Sequence, residues 1–73
     1  MMPRLTEDDL HREYLHWVRQ FGNARNQHDH RFGQHLHSSY ILPEGPRTSA
    51  DVFYEERARD AFDMIYENFM SVP

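Results

Sequence analysis

The chain has 73 residues, of which only 38% are apolar, and it carries a formal net charge of -4 and no cysteine. Ordering a chain of this length costs on the order of 110 kcal/mol, so a thin apolar core leaves little room for a deep, water-excluding catalytic cleft. The missing cysteines exclude disulfides and thiolate metal sites and favour a reducing compartment. We therefore expect a protein that docks onto a larger macromolecule and is not an enzyme.

The first predicted element is a helix over residues 7–21. Thr6 is a suitable N-cap, and Asp9 stands where it can complete a capping box. Leu5 and Leu10 have the spacing of a hydrophobic staple across that cap. Apolar side chains then recur at helical spacing as one stripe, made of Leu10, Tyr14, Trp17, Val18 and Phe21.

A connecting segment of different composition follows, over residues 23–47. It contains two glycines, two prolines, three arginines and four of the six histidines. A connection of this length without structure is unusual in a small domain, so we expect partial order. The segment Tyr40–Leu42 is the predicted ordered anchor, and mobility is predicted around His28 to His37.

The last predicted element is a helix over residues 50–70, with Thr48 or Ser49 as its N-cap. Its apolar stripe runs through Phe53 or Tyr54, then Ala58, Ala61, Phe62, Ile65, Tyr66 and Phe69. Together the elements predict one all-α domain over residues 1–73. We expect its two helices to pack as an antiparallel hairpin joined by the long, partly ordered connection.

No apolar run is long enough to span a membrane, and Met1–Arg4 does not resemble the start of a signal peptide. The expected location is therefore the cytoplasm, without membrane contact.

The charge is unevenly distributed along the chain. Residues 1–47 contain six arginines and six acidic residues, a net of zero, whereas residues 48–73 contain two arginines and six acidic residues, a net of -4. This balance argues against primary binding to nucleic acid, which needs a basic excess. An acidic helix face can steer the protein onto a basic partner, although it can also serve only to keep a small protein soluble.

All eight basic residues are arginines, which suit planar contacts to carboxylate or phosphate, although a codon bias would produce the same composition. Aromatic residues and arginine dominate interface hot spots, so exposure is of interest at Trp17, Tyr54 and Tyr66. The candidate partner-binding residues are Arg25, Arg31, Arg47, Glu55, Glu56 and Asp60.

The histidines offer a second, less favoured site. Two His-x-His pairs, His28 with His30 and His35 with His37, could supply four imidazole ligands to zinc. The spacing matches no established zinc signature, so polar residues of the connection are the favoured explanation of the histidines, and a pH-responsive patch is a further alternative. The sequence has no catalytic or phosphate-binding motif, so we expect no catalytic residue and no cofactor.

The short length, the opening residues 1–10, the Arg/His-rich middle and the lack of an enzymatic motif resemble small lytic-phage regulators of host bacterial RNA polymerase. The resemblance implies a partner in the N-terminal region of the largest polymerase subunit. It implies inhibition of transcription initiation, promotion of antitermination, or both, in the cytoplasm of the host cell. It assigns no role to any single residue. Alternatives are a metal-stabilised structural module and an acidic mimic of nucleic acid that inhibits another host factor.

Overall fold

The computed structural model describes residues 1–21 and 31–71, and within them the chain is all-α with no strand element. The predicted fold class is confirmed, but the two-helix hairpin is wrong because the described residues form four helices. These are α1 (Glu7–Phe21), α2 (Phe32–Ser39), α3 (Ser49–Tyr54) and α4 (Ala58–Met70).

Helix α1 begins and ends where the sequence predicts. The Thr6 backbone N–H donates to the Asp9 carboxylate at 3.2 Å, and the Asp9 N–H donates to the Thr6 hydroxyl at 3.1 Å. Leu5 and Leu10 on either side of this capping box are both buried, as a hydrophobic staple requires. Both the predicted cap and the predicted staple are therefore confirmed.

Helix α2 lies within the segment that was predicted as a connection. Phe32 and Leu36 are buried on one side of it, and Tyr40 just beyond its end is half-buried. The Tyr40 N–H closes the last turn by donating to the Leu36 carbonyl at 2.8 Å. His35 and His37 therefore lie on a helix, and the connection is more ordered than predicted. His28 and His30, where mobility was also predicted, lie outside the described residues.

The predicted anchor at Tyr40–Leu42 is confirmed. Tyr40 and Leu42 pack against the core. Ile41 pairs with the N-terminal segment: its N–H donates to the Pro3 carbonyl at 2.8 Å, and the Leu5 N–H donates to the Ile41 carbonyl at 2.9 Å. These two bonds form an isolated parallel bridge, which fixes the start of α1 against the end of α2.

The predicted helix over residues 50–70 is wrong in its continuity, because α3 and α4 are separated at residues 55–57. The N-cap at Thr48 is confirmed by a capping box with Asp51. Val52 and Ala58 are both buried, yet six residues of continuous helix would place them roughly 120° apart around the axis. The break lets both side chains face the same core.

The core lies between α1, α2 and the pair α3–α4. A Cβ on Gly33 would overlap the Val52 carbonyl, so glycine is what allows α2 to approach α3 closely. The buried apolar residues are Leu5, Leu10, Trp17, Phe32, Leu36, Val52, Ala58, Ala61, Phe62 and Ile65.

Among the residues that the structure describes, no helix combines the length and the apolar character needed to cross a bilayer.

Candidate partner-binding surface

Helices α2 and α3 together present a surface patch of aromatic and basic side chains, which we call the Tyr54 surface: Arg31, His37, Phe53 and Tyr54. Arg31 is the N-cap residue of α2, and its Nε donates to the Phe53 carbonyl at 2.9 Å. Its guanidinium carbon lies 5.4 Å from the centre of the Phe53 ring and 5.8 Å from that of Tyr54. The His37 ring meets the Phe53 ring edge-on at 5.4 Å. One arginine therefore joins two helices and two aromatic rings.

The exposure of Tyr54 follows from the shortness of α3. This helix has six residues and buries one side chain, Val52, against the core. Successive helical residues point roughly 100° apart, so Phe53 is half-buried and Tyr54 turns outward with 70% of its surface exposed. An exposed tyrosine beside an arginine is the composition that dominates binding hot spots, and stacking orients the guanidinium at little entropic cost.

The acidic candidates follow Tyr54 directly in the chain. Glu55 is half-buried, and its carboxylate accepts the Arg57 N–H at 3.2 Å within the break between α3 and α4. Glu56 and Asp60 are exposed and make no ion pair with any residue in 1–21 or 31–71. Glu55 thus helps to shape the break, whereas Glu56 and Asp60 are available to a partner.

The three candidate arginines have different surroundings. Arg31 belongs to the Tyr54 surface. Arg47 lies in the loop before α3, where its N–H donates to the Asn68 side chain at 2.9 Å and its Nε lies 3.2 Å from the Glu67 carboxylate. Arg25 lies outside the described residues. Arg47 therefore has a structural role in holding its loop on α4.

The two described histidines of the possible metal site point in different directions. Residues two apart on a helix lie roughly 200° apart around its axis, and α2 accordingly aims His35 at α1 and His37 at α3. The His35 Nε2 lies 3.6 Å from the Glu13 carboxylate, whereas His37 contacts Phe53. No three His, Asp or Glu side chains in the described part of the chain are grouped to hold a metal ion. His28 and His30 lie outside it.

Tyr40 and its neighbours form a polar seam between α1 and the end of α2. Burial raises the pKa of the Tyr40 hydroxyl, and hydrogen bonding to Glu13 acts in the same direction. Hydrogen bonding to Tyr40 and Asp9 raises the pKa of the Arg12 guanidinium. Because these polar groups bond to one another, the seam stabilises the fold and leaves few polar groups for a partner to bind.

The three aromatic residues selected from the sequence differ in exposure. Trp17 is buried, with 5% of its surface exposed, and Tyr66 is half-buried, so Tyr54 alone of the three stands out from the surface. The contact of Arg31 and His37 with α3 could not be predicted without α2, which lies in the segment predicted as a connection. The spacing of Phe32, Leu36 and Tyr40, four residues apart, was the available signal.

Comparison of the chain with protein-family models, with curated proteins and with solved structures finds no match. The choice among functions therefore depends on the chemistry of the surface and on the resemblance noted from the sequence.

Proposed function

We propose that this chain binds the RNA polymerase of a bacterial host, at the N-terminal region of the largest subunit, and inhibits transcription initiation, promotes antitermination, or both. The observation that supports docking is Tyr54, an aromatic side chain 70% exposed and stacked beside Arg31. The resemblance to small phage regulators supports the identity of the partner.

The chemistry around Tyr54 defines what the partner must offer. Tyr54 and Phe53 supply apolar area with few rotatable bonds, so fixing them in an interface costs little entropy. Glu56 and Asp60, which follow Tyr54 within the next six residues, add exposed negative charge. An apolar pocket with lysine or arginine at its rim would match both features, and charges at the rim would chiefly raise the rate of association.

Affinity purification from bacterial lysate with the tagged chain tests this function, and we expect RNA polymerase subunits to be recovered with it. The substitution Tyr54→Ala should weaken binding to purified polymerase at least about tenfold, since truncating a hot-spot residue costs about 1.4 kcal/mol or more. The matched control is Leu15→Ala on α1, because Leu15 is 65% exposed but lies outside the Tyr54 surface.

Leu15→Ala should bind as the wild type does. Failure of the wild-type chain to recover any polymerase subunit would contradict the proposed partner. Equal affinities for wild type and Tyr54→Ala would contradict the proposed surface while leaving the partner standing.

A second candidate function is mimicry of nucleic acid. Asp60, Asp63 and Glu67 follow one another at spacings of three and four residues and are all exposed, which places a row of carboxylates along the outside of α4. Two of them are partly neutralised, because Asp63 pairs with Arg59 and Glu67 pairs with Arg47. Competition with duplex DNA for a basic groove of a nuclease or defence complex would support this function, and it is the less favoured of the two.

A further inference from the structure

The break between α3 and α4 lies in a sequence that favours a helix. Residues 55–57 are Glu-Glu-Arg, all good helix formers, and neither glycine nor proline occurs between residues 47 and 72. We propose that this junction is a conformational switch, in which the broken form exchanges with one continuous helix over residues 49–70. The exchange is a property of the chain itself, whereas its consequence for binding rests on the proposed function.

Two side chains hold the break by occupying backbone groups that a continuous helix would pair. In such a helix the Arg57 N–H would donate to the Phe53 carbonyl, four residues earlier. Instead, the Phe53 carbonyl accepts the Arg31 Nε–H at 2.9 Å. The Arg57 N–H donates to the Glu55 carboxylate at 3.2 Å. Both ends of one helical hydrogen bond are therefore satisfied by side chains, each through a single hydrogen bond.

Helix α3 is attached to the rest of the molecule by few buried groups. It has six residues, fewer than two turns, and a helix of this length is not stable alone. Val52 is its one buried side chain and lies against Gly33 of α2. Phe53 is half-buried, and the other four residues are exposed. Detachment of α3 from α2 would therefore expose chiefly one valine and part of one phenylalanine.

A continuous helix would return backbone hydrogen bonds at the junction. The first N–H groups of a helix have no partner within it, and in α4 these belong to residues 58–60. In the continuous form they would donate to the carbonyls of residues 54–56. The exchange therefore trades the burial of Val52 for several backbone hydrogen bonds. These opposing contributions are similar in size, so both forms are populated.

The exchange would control the Tyr54 surface. In the broken form the Tyr54 ring centre lies 5.8 Å from the Arg31 guanidinium carbon, because α3 packs on α2. In a continuous helix Val52 would lie roughly 120° from Ala58 around the axis, so α3 would leave α2 and Tyr54 would separate from Arg31. A partner that contacts both residues selects the broken form, and the continuous form lowers its apparent affinity.

The test uses the full chain labelled with ¹³C and ¹⁵N, without any partner. Saturation-transfer NMR detects a minor state in slow exchange, and its ¹³Cα shifts report whether residues 55–57 are helical. In the broken form Glu55 and Arg57 have extended backbone angles, so the two forms differ in these shifts. We expect a minor state with helical shifts at these residues.

The double variant with Arg31→Leu and Glu55→Ala removes both side-chain hydrogen bonds at the break. It should raise the ratio of the continuous to the broken form at least about tenfold, since each bond contributes about 1 kcal/mol. Glu55→Gln is the matched control, because it keeps an acceptor for the Arg57 N–H. Glu56→Ala is a second control, because it lies in the same break but removes no ion pair within residues 1–21 and 31–71. Both controls should keep the wild-type ratio.

Three outcomes overturn the proposal. One is the absence of a helical state at residues 55–57 in both the wild type and the double variant. Another is a minor state with random-coil shifts there, because it reports local unfolding. The third is an equal ratio of the two forms in the wild type and the double variant. If the double variant does not fold, the wild-type exchange alone decides, and no outcome depends on whether the chain binds RNA polymerase.

Discussion

Asn68 shows how much one buried polar side chain contributes to this small fold. It is 2% exposed, and it binds the loop over residues 43–47 through three hydrogen bonds. Its Nδ2 donates to the carbonyls of Pro43 at 3.2 Å and Arg47 at 2.8 Å, and its Oδ1 accepts the Arg47 N–H at 2.9 Å. A Cβ on Gly45 would overlap Asn68, so the loop and the asparagine fit only with glycine at that position.

Replacing Asn68 by alanine should lower the free energy of unfolding by about 3 kcal/mol, because one N–H and two carbonyls lose their partners in a buried position. The urea midpoint, followed by circular dichroism, measures the loss. Glu67→Ala is the matched control on the same helix. It removes an exposed ion pair to the same Arg47 and should cost about 0.5 kcal/mol or less. A loss below about 1 kcal/mol for Asn68→Ala would mean that water replaces the asparagine.

At the scale of single elements, capping boxes stabilise the first turns of α1 and α3. The Thr6 hydroxyl, followed by its backbone N–H, holds the pKa of Asp9 below its usual value of 3.8. The backbone N–H of Thr48, followed by its hydroxyl, does the same to the pKa of Asp51. A carboxyl whose pKa is lower in the folded state stabilises the fold above its unfolded pKa. That stability is lost as the pH falls from 3.8 through the lower, folded pKa.

The free energy of unfolding should therefore fall as the pH is lowered from about 5 to below 3.8, and the double variant with Asp9→Asn and Asp51→Asn should lose less over that interval. Thermal unfolding across the pH series measures both slopes. Asp63→Asn on α4 is the control for the change of charge, because Asp63 caps no helix and its ion pair with Arg59 is exposed and contributes little to stability. If stability falls equally with pH in the double variant and the wild type, the capping carboxylates do not determine the loss of stability at low pH.

The helices differ in how far local sequence determines them. Helix α1 was predictable because its cap, its staple and its apolar stripe all indicate the same boundaries. Helix α2 was missed since Gly33 and the histidines suggest a loop, and its glycine is explained only by the approach of Val52. The break at residues 55–57 has no local signal, because glutamate and arginine favour helices. Packing of Val52 and Ala58 on one core decides it.

The candidate surface was predictable by residue type but not by arrangement. Composition selected Tyr54, Glu56 and Arg31, and the structure exposes the first two. The contact between Arg31 and Tyr54 joins residues 23 apart in the chain, and it exists because α2 packs on α3. The pairing of Pro3 and Leu5 with Ile41 was not predicted either, because it joins segments far apart in the chain.

At the scale of the whole molecule, the fold keeps much of its negative charge on the outside of its C-terminal part. The net charge of -4 comes entirely from residues 48–73. Ion pairs with Arg59 and Arg47 use two of the carboxylates on α4, whereas Glu56 and Asp60 make none with the described residues. Charges of this kind at the rim of an interface act chiefly on the rate of encounter, and salt screens them over about 10 Å at an ionic strength near 0.1 M.

With RNA polymerase as the proposed partner, the double variant Glu56→Arg and Asp60→Arg should associate more slowly than the wild type, by about tenfold at low salt, and with a flatter dependence on salt. Stopped-flow or biosensor kinetics over a salt series measure both effects, and dissociation should change little. Arg47→Ala is the control, because Arg47 is already paired with Glu67 and holds its own loop. Association rates unchanged by the charge reversal would exclude steering by these carboxylates. A loss of affinity with Arg31→Ala larger than that of the double variant would then assign the affinity to the Tyr54 surface.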